Sequence, residues 1–384
     1  MTRPLFRLKE SLPPALSLAP LRLLGGFICA DTHLGCQGCA FCLNRRYPPL
    51  GDVLDRDIQR DFADIGCPPE EIARHIERLP MFQRARVPLR LAHLTDLAFE
   101  SDGIAQILDH LPPDTPAVLL TRRPLARSFL PLIRSRPGLL VHASMTPGAD
   151  PNLHRALLDS LRDVPPRQIF IRLSPLMSGR QNEARAILDL LPQGAAVGFG
   201  ELKTNGIPGT EKLSSLESNA IDALFQCARA QGLTPLDYFG CQLRALIQRP
   251  FFLRAVVQQN NPDTCAGCAN ASVCGHAPTS RDISDSEIIE EAQNIGLKIR
   301  DIQRDGEQIL LHTDMPTGRA DEVHLSEYFS QQIQLSTIAR GPERGVVNMN
   351  PAIFDRWQSV GFYPVARMKE ISQAMLAQCQ AIHG

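Results

Sequence analysis

Nowhere in its 384 residues does the chain hold the roughly 20 consecutive apolar residues that a membrane helix needs, so no membrane span is expected. It also lacks a charge excess. Forty basic side chains face 41 acidic ones, for a net charge of -1. No whole-molecule field is therefore available to gather nucleic acid or anionic lipid. The small basic spots at Arg45-Arg46-Tyr47 and between Arg84 and Arg90 do not add up to a nucleic-acid surface. Internal repeats and low-complexity runs are missing. With 43% hydrophobic and 21% charged residues, the chain is neither a disordered protein nor a small disulfide-stapled scaffold. The N-terminal stretch carries charges and prolines that fit a secretory signal poorly, and the expected compartment is the cytoplasm.

What the chain has is cysteine, and most of it is clustered. Of eleven residues, Cys29, Cys36, Cys39 and Cys42 form one group and Cys265, Cys268 and Cys274 a second. Cys67, Cys227, Cys241 and Cys379 stand alone. In a reducing compartment, clustered thiols read as metal or iron–sulfur ligands and not as disulfides.

After a Pro-rich leader (1–20), apolar runs at 21–30, 88–95, 117–121, 138–144, 168–174 and 195–202 have the length of buried strands. Helical patterns lie between them, at 68–79, 102–111, 124–134, 150–162, 180–191 and 214–231. Pro147, Pro165, Pro192 and Pro208 punctuate the joints. Six strand–helix units in series predict a parallel α/β sheet covered on both faces. A partial (βα)6 barrel and an open doubly wound sheet both satisfy the pattern; in either, chemistry belongs at the C-terminal ends of the strands. The rhythm breaks near residue 235. A helical stretch interrupted by Pro250 and the second cysteine group fill 236–282. A small α+β domain, 283–384, follows. It contains a hairpin turning at Asp305-Gly306, a helical tail, and the only tryptophan, Trp357.

The first cysteine group, Cys29-Ala-Asp-Thr-His-Leu-Gly-Cys36-Gln-Gly-Cys39-Ala-Phe-Cys42, directly follows the first apolar run. Close spacing lets one loop wrap several thiolates around one metal centre. Three chemistries satisfy it: structural zinc, a ferredoxin-like electron carrier, and a catalytic cluster with three protein ligands and an open iron.

A cysteine triad after strand one that ends in Cys-x-aromatic-Cys and precedes a (βα)6 series resembles the radical S-adenosylmethionine superfamily, over about residues 20–235. The stretch Arg172-Leu-Ser174-Pro175-Leu-Met-Ser-Gly179 is similar to the spore-photoproduct-lyase-like branch. The resemblance implies a [4Fe–4S] cluster held by Cys36, Cys39 and Cys42. S-adenosylmethionine would bind the fourth iron and be cleaved by one electron to a 5′-deoxyadenosyl radical that abstracts hydrogen from a substrate. Candidate cofactor contacts are Asp96, in His93-Leu94-Thr95-Asp96, then Ser144, Arg172, Ser174 and Glu201. The family's usual Cys-x3-Cys-x2-Cys is compressed here to Cys-x2-Cys-x2-Cys. With Cys29 as first ligand it lengthens to Cys-x9-Cys-x2-Cys, resembling some members of the Elongator catalytic-subunit branch. A reductant such as a flavodoxin or ferredoxin is implied; the substrate class is open among peptide, nucleobase and small metabolite.

The second group, Cys265-Ala-Gly-Cys268-x5-Cys274-Gly-His276, looks like the auxiliary-cluster segment of SPASM or twitch type. Cys241 is the candidate fourth ligand, with His276 as its alternative and zinc as the alternative metal. The competing account of the whole chain is a non-catalytic iron–sulfur or zinc protein for electron transfer or binding.

Overall fold

The computed structural model describes residues 21–24, 27–34, 63–64, 68–78, 82, 88–93, 95–202, 213–236, 239–247, 283–294, 296–305, 308–315 and 317, and beyond these 321, 325, 329, 332–337, 343–344 and 347–348. Cys36, Cys39, Cys42, Cys265, Cys268, Cys274 and the expected helical tail lie outside the described residues.

Eight strands form the main sheet. The first apolar run is two strands and not one: β1 (Leu21–Leu24) pairs antiparallel with β2 (Phe27–Ala30), with only Gly25-Gly26 between them. A Gly-Gly pair is among the sequences favoured between two hairpin strands. A second short pair, β3 (His33–Leu34) with β4 (Ala63–Asp64), is also antiparallel and stands apart from the main sheet. The remaining strands of the main sheet are β5 (Leu89–Leu91), β6 (Ala117–Thr121), β7 (Leu139–Met145), β8 (Ile169–Leu176), β9 (Ala196–Glu201) and β10 (Thr234–Pro235). From β2 through β10 all are parallel and lie in chain order. The order never reverses, so the described sheet has no switch point of the doubly wound kind. The short β10 is a seventh parallel strand that the sequence pattern did not reveal.

The connecting helices are α1 (Pro69–Arg78), α2 (Leu97–His110), α3 (Leu130–Ser135), α4 (Pro151–Leu161), α5 (Gln181–Leu188) and α6 (Ser218–Ala230). Strands added always in one direction, with right-handed crossovers, place every helix on the same face. The packing agrees. Ile28, Leu89, Leu119, Val141, Ile171 and Val197 point into one large core together with Ile76, Ile104, Ile133, Leu157, Ile187 and Leu224 of the helices.

The other face is different. Phe27, Val118, Leu140, Phe170 and Ala196 form a smaller apolar layer, capped by Phe239 and Leu243 of α7 (Phe239–Ile247). Phe239 packs its ring against Phe27 at 5.3 Å, and Gln242 donates to the Arg167 carbonyl just ahead of β8. Helix α7 therefore covers the N-terminal half of this face.

At the C-terminal end of the chain, α8 (Asp285–Asn294) precedes the expected hairpin, β11 (Ile299–Asp305) with β12 (Gln308–Thr313). A third strand, β13 (Gln332–Thr337), runs parallel to β12. Ile283, Ile288, Leu297, Ile309 and Leu311 join the same core as the main sheet and its helices. A further two-residue pair, β14 (Glu343–Arg344) with β15 (Val347–Asn348), lies beyond.

Candidate functional site

Strand alternation decides which residues share the face opposite the helices. Residues 28, 89, 119, 141, 171 and 197 are committed to the helix side, so Cys29, Arg90, Leu120, His142, Ser144, Arg172, Ser174, Gly198 and Gly200 fall on the other. Polar residues dominate this face toward the strand C-termini, above the Phe27–Leu140–Phe170 layer.

Three of the expected contacts meet here. Ser144 and Arg172 are register partners on β7 and β8, and Ser174 is the next residue on the same side of β8. All three are half-buried. Gly200 of β9 makes room for them: a Cβ on it would lie 2.6 Å from Arg172 Nε and 2.6 Å from Ser174 Oγ. The Thr146 hydroxyl donates to the Ser174 carbonyl at 2.9 Å.

Asp96 stands apart from this group. It is the N-cap of α2, and its side chain accepts from Ala98 N at 3.0 Å. Its carboxylate also takes the Thr121 hydroxyl at 2.8 Å and the Arg122 backbone N–H at 2.6 Å. Burial raises its pKa, against the pull of these hydrogen bonds and of the Arg122 charge. The carboxylate thus ties the β5–α2 and β6–α3 loops together. Glu201 ends β9 on the solvent-exposed side. Cys241 lies on α7, half-buried against the apolar layer at the N-terminal half of the face.

Cys29 is fully buried within β2. Its sulfur accepts from Arg90 Nε at 3.3 Å and from the terminal Nη2 at 3.2 Å, while the same guanidinium sits 5.4 Å over the Phe27 ring. His142 packs between Phe239, at 4.9 Å, and Phe170, at 5.4 Å. Burial holds its pKa well below the ordinary value, and Arg172, Arg90 and Arg122 push it the same way.

Arg90 and His142 are members of this face that the sequence reading did not single out as site residues. The signal was present: a charged or titratable residue interrupts an otherwise apolar strand in Leu89-Arg90-Leu91 and in Leu140-Val141-His142-Ala143, as Arg172 does in Phe170-Ile171-Arg172-Leu173.

At the end of β2, Thr32 donates both its backbone N–H and its hydroxyl to Glu100 Oε2, each at 2.8 Å. Past it, β3 and β4 pair, so the segment 35–62 that carries Cys36, Cys39 and Cys42 has both stems held side by side. Among the described residues, no group of three or more His, Cys, Asp or Glu side chains is placed to hold a metal ion. No helix among them is long and apolar enough to cross a membrane. Comparison with family models, with curated proteins and with solved structures finds no match to this chain.

Proposed function

We propose that the chain is a radical S-adenosylmethionine enzyme built on a partial (βα)6 barrel, with Cys36, Cys39 and Cys42 as ligands of its catalytic [4Fe–4S] cluster. The observation that carries the reading is the Ser144–Arg172–Ser174 group toward the C-terminal ends of the strands. That group lies on the non-helical face toward the end at which β2 finishes, and the three thiols follow β2 in the amino-acid order within twelve residues. Chain-order parallel strands favour a curved sheet, in which that face becomes an interior.

The residues fit the group. Three thiols leave one vertex of a four-iron cluster for a small-molecule ligand. When bound, the cluster supplies the electron that breaks the sulfonium carbon–sulfur bond. Everything else falls to the chain. Arg172 offers a planar pair of donors to a carboxylate, and the Ser144 and Ser174 hydroxyls add neutral ones. The absence of a Cβ at Gly200 leaves room for that guanidinium. Beneath, Phe27, Leu140, Phe170 and Phe239 keep water from entering through the floor of the face. Cys29 is spoken for by Arg90 inside β2, which supports Cys36 as the first ligand.

On this reading Cys265, Cys268 and Cys274 hold an auxiliary cluster, with Cys241 or His276 as fourth ligand, and a flavodoxin- or ferredoxin-like protein delivers the electron.

The test is anaerobic reconstitution, reduction and addition of S-adenosylmethionine. Release of 5′-deoxyadenosine is expected, and C36A, C39A and C42A are each expected to abolish it. About eight irons and about eight sulfides per chain are expected for two [4Fe–4S] clusters. A fully loaded protein that leaves S-adenosylmethionine intact would sink the proposal.

A further inference from the structure

We infer that Glu100 is a positioning residue for the cysteine loop: its carboxylate grips Thr32 and so sets the stem of the segment that carries Cys36, Cys39 and Cys42. The inference rests on reading that segment as the cluster-binding loop. Thr32 lies just past the end of β2 and four positions ahead of Cys36. Its backbone N–H no longer belongs to the sheet, and both it and the hydroxyl go to one oxygen of Glu100, 68 residues away in the chain.

Helix α2 is shaped around this contact in two ways. It departs from helical geometry at Glu100, with φ -126° and ψ 23°. It also presents Gly103 to the same threonine: a Cβ there would lie 2.7 Å from Thr32 Oγ1 and 2.9 Å from its Cγ2. Glu100 is 2% exposed. A buried carboxylate is costly unless hydrogen-bonded, and an apolar side chain would pack α2 against β2 with less desolvation. What the carboxylate adds is a fixed anchor for the strand's exit. Immediately beyond, His33–Leu34 pairs with Ala63–Asp64. One stem is thus held by α2 and by the other stem. A loop tethered at both ends has less freedom to lose when three thiolates gather on one centre. Groups that fix the ligand-bearing backbone govern how well such a centre is retained.

The experiment compares wild type, E100A, E100Q and G103A as full-length chains in a C265A/C268A/C274A background, so that retained iron reports the first cysteine group alone. Two readouts are taken: backbone amide exchange at residues 32–34 in the iron-free protein, and iron retained after anaerobic reconstitution and desalting. In E100A, exchange at Thr32 should rise on the order of tenfold or more and iron retention should fall severalfold, with the circular-dichroism spectrum unchanged. E100Q should stay near wild type, because the amide oxygen accepts both hydrogen bonds. G103A should reproduce the loss with the carboxylate intact, because the added Cβ displaces the Thr32 side chain from its place beside Glu100. Wild-type exchange and retention in a folded E100A overturn the assignment. Should E100A not fold, G103A decides it alone: wild-type retention there overturns the assignment equally. A wild-type chain that retains no iron sinks the cluster reading instead, and the two failures are told apart because the exchange readout needs no metal.

Discussion

Among the described residues neither ring nitrogen of His142 has a hydrogen-bond partner, and the side chain is 2% exposed. In the unfolded chain the ring takes up a proton near its ordinary value of 6.5; in the fold it stays neutral to well below that. The unfolded state therefore binds one proton more as the medium is acidified, and stability falls from about pH 6.5 downward until the buried ring protonates as well. His142→Leu should flatten this fall, which urea midpoints at pH 7.5 and 5.5 would reveal. An equally steep decline in the variant would refute the assignment of that proton. Cys29 carries a second prediction at this scale. Cys29→Ser should leave iron loading unchanged while Cys36→Ala lowers it by about four irons, the share of one cluster; loss of loading in Cys29→Ser would make Cys29 a ligand. Asp96→Ala strips a helix cap and two further donors of their acceptor, and should cost about 2 kcal/mol by denaturant titration. Cys29 shows where reading residues in isolation stops. Its place among four near-neighbour thiols is plain in the amino-acid order, but its engagement by Arg90 depends on the pairing of β2 with β5, 61 residues away.

Among elements, β9 separates two glycine roles that look alike in Gly198-Phe199-Gly200. Gly198 lies under the Phe170 ring and 3.1 Å, measured from a would-be Cβ, from the Leu236 carbonyl. Gly198→Ala overpacks the apolar layer and should destabilise the fold by about 1–3 kcal/mol. Gly200→Ala meets the Arg172 guanidinium and the Ser174 hydroxyl instead. It should weaken S-adenosylmethionine binding about tenfold, on the order of one charge-assisted hydrogen bond, while leaving the unfolding midpoint near wild type. Equilibrium dialysis alongside thermal melts checks both; equal effects of the two substitutions on binding would contradict the assignment. Strands β6 through β9 were legible as short continuous apolar runs because both their faces are buried, and helices α1, α4, α5 and α6 because each turns one apolar stripe to the core. The β1–β2 hairpin was read as one strand, since Gly25-Gly26 interrupts the apolar run without changing its character. Strand β10 escaped because two residues, Thr234–Pro235, carry no period.

For the molecule as a whole, the described core residues after 282 share the main core. Ile288, Ala292 and Leu311 belong to the same apolar mass as Ile76 and Leu224. Removing 283–384 should therefore expose apolar surface, lower the melting temperature and raise binding of a hydrophobic dye. A truncated chain that melts at the full-length temperature would show that this region is dispensable to the core.

The alternation of apolar runs with amphipathic stretches, and the grouping of thiols behind the first of them, could be read directly from the amino-acid order. Both are local, and local spacing is what a one-dimensional pattern records. Strand order, and with it the choice between a chain-order sheet and a doubly wound one, was decided only by folding. So were the pairing of Ser144 with Arg172, the hold of Arg90 on Cys29, and the grip of Glu100 on Thr32. Each joins residues far apart in the chain, and which side chains share a face follows from inter-strand register.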